Sequence, residues 1–134
     1  MPELSLPVRA HRGAAVKALV RSRADPSRVA GPFAAYLDTG ASVTVLDPGV
    51  VAALGLEPVA AAGLHVLGRD EVSHHGVYEV EVALAAAEPA PWVAVAALEG
   101  PVNPKGTAAA LGRDFLAHVT LVYDGPAGRF AVRW

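Results

Sequence analysis

The residue best placed to do chemistry is Asp38, in the stretch Tyr36-Leu37-Asp38-Thr39-Gly40-Ala41-Ser42-Val43-Thr44-Val45-Leu46. One acid stands there between two apolar runs of strand character. A carboxylate on a positioned backbone is equipped for general acid-base work. Thr39, Gly40 and Ala41 are small residues that let the backbone turn sharply and approach another segment closely, so the turn displays the acid. An Asp beside Thr-Gly also commonly hydrogen-bonds its own turn. The residues alone leave both readings open.

Other chemistries find less support. The chain has no cysteine, which excludes disulfides, thiolate zinc sites and cysteine nucleophiles and leaves the redox compartment undetermined. His74-His75 suggests a metal at first sight. Adjacent strand residues point to opposite faces, however, and no His-x-x-x-His spacing accompanies the pair, so they read as solvated loop histidines. His65 and His118 are isolated. Ser42 and Ser73 lack the Gly-x-Ser-x-Gly turn of a serine hydrolase. A phosphotransfer Asp would need a phosphate-cradling loop and alternating β-α units, and neither is present. No metal or cofactor is expected.

A net charge of -2 and a pI near 6.2 supply no basic field for nucleic acid or for a membrane surface. The N-terminal MPELSLPVRAHRG lacks the apolar stretch of a signal peptide, and no run approaches the roughly 18 apolar residues of a membrane span. The expected localisation is cytoplasmic.

The elements that must hold Asp38 are short. With 134 residues, 53% hydrophobic and 18% charged, the chain suits a single domain over 1–134 with one core. Alanine inflates the helical propensity, but 13 Gly and 11 Pro cut the chain into pieces suited to an all-β fold. Strands are expected at Ala15–Arg21 and Phe33–Leu37, around the turn SRADPSR, and at Ser42–Leu46. Asp47 as N-cap, Pro48 at the first helical position and Gly55 as stop predict a short helix over VVAALGL. LHVLG and VYEVEVAL, alternating Val77, Val80 and Val82 with polar residues, form a hairpin around RDEVSHHG. PWVAVAAL, the loop PVNPKG and TAAALGRDFLAHV follow, and Gly125-Pro126-Ala127-Gly128 separates two closing strands. Leu-Gly-Arg-Asp occurs twice, at Leu67–Asp70 and Leu111–Asp114.

Asp38-Thr39-Gly40-Ala41-Ser42, after two hydrophobic residues, resembles the active-site sequence of the aspartic peptidases. Ala110-Leu111-Gly112-Arg113-Asp114-Phe115-Leu116 resembles the second signature of the retroviral type, and Tyr123-Asp124-Gly125, a turn and a last strand follow it as in bacterial single-domain members. The resemblance runs from about Phe33 to Trp134. It implies a closed acid-protease (retropepsin-like) β-barrel with one or two short helices and a flap hairpin, working as a homodimer that cuts polypeptide. It makes Asp38 catalytic, with Thr39, Gly40, Gly112, Arg113 and Asp114 as active-site support. Substrate would meet Gly40, Ala41 and Ser42 and a flap spanning Gly63 to Leu84, around Asp70, Glu71, Val72, Ser73, His74, His75 and Gly76.

The earlier Leu-Gly-Arg-Asp falls in that flap. Two features depart from the retroviral pattern. The flap tip is polar, and Ser42 stands where many relatives have an Asp that pairs with the Arg of the second signature. Arg113 then needs another partner, either Asp114 or a carboxylate across the dimer.

Aspartic peptidase chemistry uses two carboxylates around one water, and this chain has one Asp-Thr-Gly. A twofold axis beside Asp38 would supply the second from another copy. ELSLPV and RFAVRW are apolar terminal strands expected to pair between chains, with pairing inside one chain as the alternative. The competing functional reading keeps fold and dimer but makes the cleft a non-catalytic peptide-binding or scaffolding site. The alanine-rich composition points to a bacterial, GC-rich genome.

Overall fold

The computed structural model describes residues 2–10, 13–65 and 72–134. Its strands are β1 (Glu3–Pro7), β2 (Ala15–Ser22), β3 (Val29–Leu37), β4 (Val45–Leu46), β5 (Ala60–His65), β6 (Val72–Leu84), β7 (Val93–Glu99), β8 (Ala109–Leu111), β9 (Thr120–Asp124) and β10 (Arg129–Arg133), with helices α1 (Pro48–Leu54) and α2 (Arg113–Leu116). Six strands in the order β2-β3-β8-β4-β7-β6 close on themselves through a β6–β2 pairing, and β5 adds to the free side of β6. Closure leaves no open edge inside the ring. A separate sheet of order β1-β10-β9 packs against it.

Period-two alternation decides what faces inward. Val16, Ala18 and Val20 of β2, Val80, Val82 and Leu84 of β6, and Val93, Val95 and Ala97 of β7 share one core with Leu37, Leu111 and Phe115. Phe130 and Val132 of β10 reach the same cluster. The alanines that inflate the helical propensity serve here as small core residues: Ala18, Ala35, Ala97 and Ala109 are fully buried opposite larger side chains. Burial of this kind outweighs a helical preference that spans only a fraction of a kcal/mol per residue.

The order of strands fixes where Asp38 sits. β8 lies between β3 and β4, parallel to β3 with Leu37 opposite Leu111, and antiparallel to β4 with Val45 opposite Ala110. The chain leaving β3 must therefore cross the end of β8 before it can return as β4. Residues 38–44 make that crossing, directly over Gly112.

Local signals were decisive for α1. Asp47 accepts a hydrogen bond from Gly49 N through its side chain, Pro48 opens the helix, and Gly55 closes it at φ 59°, ψ 40° in the left-handed region. Val50, Val51 and Leu54 form its buried face.

Three expectations need correction. The strand foreseen from Ser42 is confined to Val45–Leu46, because the Thr44 amide is drawn to Asp114 instead of a neighbouring strand. The terminal strands pair with each other inside one chain, Glu3 opposite Arg133 through Pro7 opposite Arg129, which is the arrangement given as the alternative, while β1 and β9 remain the outer strands of their sheet. Finally, Val72–Gly76 belong to β6, paired with Ala61–His65 of β5, so they are hairpin strand and His74-His75 are not loop residues. The hairpin foreseen between Gly63 and Leu84 is present as β5 and β6, whereas Asp70, Glu71 and the first Leu-Gly-Arg-Asp, Leu67–Asp70, lie outside the described residues.

Candidate active site

Two crossing segments, 38–44 and 111–114, interlock through their backbones. Asp38 N donates to Leu111 O at 2.9 Å, and Arg113 N donates to Ala41 O at 2.9 Å. Between these bonds the chains touch. A Cβ on Gly112 would lie 2.6 Å from both C and O of Val43 and 3.0 Å from Ala41 O, so only glycine permits this approach. Gly112, read from sequence as support, therefore acts by what it lacks.

The Asp38 carboxylate is half-buried. Its Oδ1 accepts the Gly40 N–H at 2.9 Å, and Ala41 N closes the turn on Asp38 O at 3.2 Å. The self-bonded turn and the displayed acid, alternatives at the sequence level, thus coexist: one oxygen is fixed by the turn, and the carboxylate still reaches the surface. Thr39 and Gly40 are exposed beside it, and Ser42 is exposed further along. The Ala41 amide and carbonyl are both engaged within the chain.

Thr44 is the site residue that motif reading missed. It is fully buried, and its amide and hydroxyl donate to the two oxygens of Asp114 at 3.0 and 2.9 Å. Its Oγ1 in turn accepts the Gly112 N–H at 3.3 Å. Asp114 also receives the Phe115 N–H at 2.8 Å, which ties α2 to the same carboxylate. The signal in the sequence was a lone hydroxyl in the apolar run Val43-Thr44-Val45-Leu46, since a buried polar group must find a partner.

Arg113 does not pair with Asp114 within the chain. Its Nη1 donates to Thr39 O at 2.9 Å, across the Asp38 turn and within the same chain. With Ser42 exposed and no acid at that position, a backbone carbonyl serves where a carboxylate was expected.

Above these loops Val45, Leu98 and Ala110 make a small apolar cluster, joined by Val43, Val102 and, from the β5–β6 hairpin, Ala62 and Val77. The hairpin therefore packs onto the strands that carry the Asp38 loop. Beside the hairpin a cavity of about 530 Å³ lies between Asp47–Pro48, His74–Gly76 of β6 and Glu99–Pro101. Asp38 does not line it. Beneath it, Tyr78 donates its hydroxyl to Glu99 Oε2 at 2.7 Å; that bond, with burial and the Glu99 charge, pushes the phenol above its ordinary value. His75 Nε2 is buried and finds no hydrogen-bond partner among the described residues.

Among the described residues, no group of three or more His, Asp or Glu side chains is placed to hold a metal ion. No helix among them is long and apolar enough to cross a membrane.

The crystal structure of a retropepsin-like aspartic protease from Rickettsia conorii is similar to this chain, with a TM-score of 0.62 and 14% sequence identity over 99% of this chain and 91% of that one. At that identity the likeness is one of fold. The closed six-stranded barrel with two short helices is accordingly a retropepsin-like fold. No protein-family model and no curated protein matches the sequence.

Proposed function

We propose that this chain, as one domain over residues 1–134, is an aspartic-type endopeptidase that acts as a homodimer with one Asp38 from each copy. The observation that carries the proposal is the interlock of the Asp38 turn with Gly112–Asp114, which fixes one carboxylate oxygen and leaves the group at the surface of a retropepsin-like fold. A general acid-base carboxylate needs that combination of fixed orientation and access.

Two Asp38 carboxylates brought together cannot both ionise cheaply, so the pair shares one proton. The ionised member takes a proton from a water held between them while the protonated member donates to the scissile carbonyl. The water oxygen bonds the carbonyl carbon, giving a tetrahedral diol. Collapse breaks the C–N bond as the pair gives its proton to the departing nitrogen and takes one from a diol hydroxyl, whose oxygen becomes the carbonyl of the new carboxyl group. Thr39 would hydrogen-bond across the twofold axis, and the Gly40 carbonyl would receive a substrate N–H. The substrate would lie extended beneath the β5–β6 hairpins and pair with them by strand addition.

Incubation with a diverse peptide library at about pH 4–6 is expected to give cuts that vanish in Asp38→Asn, with a dimeric mass by light scattering at micromolar concentration. Cutting that persists in Asp38→Asn, or a strictly monomeric active species, would overturn the proposal.

A further inference from the structure

We infer that the cavity beside the β5–β6 hairpin is a subsite for a basic side chain of the bound polypeptide, arginine above all, with Glu99 as its specificity-determining residue. The inference rests on the peptide-cleft reading above and adds to it the chemistry of one remote contact.

Three features of the cavity support this. Its volume of about 530 Å³ lies within the range of small-molecule sites, roughly 300 to 1,000 Å³, and so leaves room for one long side chain. Its charged lining groups are Glu99 and Asp47, both half-buried, and neither forms an ion pair among the described residues. The three cations that do form pairs, Arg21, Arg28 and Arg133, are committed to Glu81, Asp25 and Glu3.

Hydrogen bonding narrows the ligand further. Glu99 Oε2 accepts from Tyr78, so Oε1 remains to receive a donor, while Asp47 Oδ1 is occupied by Gly49 N and Oδ2 remains. His75 also lines the cavity, with its Nε2 buried. A guanidinium carries five N–H donors in a planar fork and no acceptor, which suits a site offering two carboxylate oxygens. It also keeps its charge when partly desolvated, as a lysine ammonium does less readily.

Position relates the cavity to substrate. Asp38 lies before β4 and Asp47 directly after it, and the apolar cluster of Val45, Leu98 and Ala110 fills the space between loop and hairpin. Gly100 stands against both Val45 and His75: a Cβ there would be 3.5 Å from Val45 Cγ1 and from His75 Nδ1. A peptide lying over the cluster would thus reach the cavity with a side chain several residues from the bond held at Asp38.

The test separates recognition from cutting by using the Asp38→Asn protein. Alanine octapeptides carrying one arginine, moved through each position, are compared with the same peptides carrying citrulline, which keeps the shape and removes the charge. Binding is read by fluorescence anisotropy at neutral pH and low salt. At one position arginine is expected to bind about tenfold more tightly than citrulline, the scale of a charge-assisted hydrogen-bonded contact. Adding Glu99→Gln, which keeps an acceptor for Tyr78, should bring the two within about twofold, and Asp47→Asn should reduce the preference less. Peptides that bind with no arginine preference, or a preference that survives Glu99→Gln with the melting temperature unchanged, would overturn the subsite and leave the peptide cleft standing. No binding by any peptide would overturn both.

Discussion

Thr44 and Asp114 lie 70 residues apart in sequence and share two hydrogen bonds, of 3.0 Å from the Thr44 amide and 2.9 Å from its hydroxyl. The contact joins the end of the Asp38 loop to the start of α2. It is the fixed point from which the site is held, because Thr44 is fully buried and has no water to fall back on.

Replacing Asp114 by Ala therefore strands a buried amide and hydroxyl, and should cost about 2 kcal/mol of stability. Asp114→Asn, which keeps one acceptor, should cost less. Thr44→Val removes the hydroxyl alone, and its effect should add to that of Asp114→Ala by clearly less than the sum, since the two side chains share a network. Urea unfolding of the four proteins measures this coupling.

Gly112→Ala places a methyl where 2.6 Å separates it from the Val43 backbone. The neighbouring atoms are main chain held by bonds on both sides, so they cannot rotate away. A loss of about 3 kcal/mol is expected, at the upper end for overpacking, together with a disturbed Asp38 turn. Thermal melting and a crystal structure of the variant would check both effects; a methyl accommodated without loss would mean that the two loops are not tightly interlocked.

These relationships were unequally legible in the sequence. The Asp38 turn, the Gly112-Arg113-Asp114 segment and α1 could be read because their signals are local: a motif, a cap, a proline at the first helical position, a glycine at the stop. The Thr44 to Asp114 bond could not, since nothing near Thr44 announces a partner 70 residues away. The partner of Arg113 was also not legible, because a cation suggests an anion and gives no sign of a backbone carbonyl, that of Thr39, within reach.

Alternation showed that β1 and β10 each have an apolar face, but a period of two says nothing about which strand lies alongside, and they pair with each other. Polar composition made His74 and His75 look like loop. Their pairing with Gly63 and Ala62 of β5 puts them in strand, where backbone bonds outweigh side-chain polarity.

The Tyr78 phenol gives a prediction in alkaline solution. Its proton is held more firmly in the folded chain than in the unfolded one, first through the bond to Glu99. The stability it contributes is therefore complete below the ordinary tyrosine value of 10.0 and is lost as pH rises through the higher folded value. The difference between ultraviolet titrations of the native protein and Tyr78→Phe should place this phenol above that ordinary value, and Glu99→Ala should bring it down. A Tyr78 that titrates at or below the ordinary value would contradict the Tyr78–Glu99 bond.

The most direct test of a shared Asp38 pair is subunit mixing. Native chain and Asp38→Asn are combined in equal amounts at fixed total concentration, allowed to exchange, and assayed on a peptide that the native protein cuts. If each active unit needs one intact Asp38 from each of two copies, random pairing leaves both carboxylates in about one quarter of the dimers, and activity falls to about one quarter. A fall to only about one half, the value for chains that act alone, would contradict the shared pair.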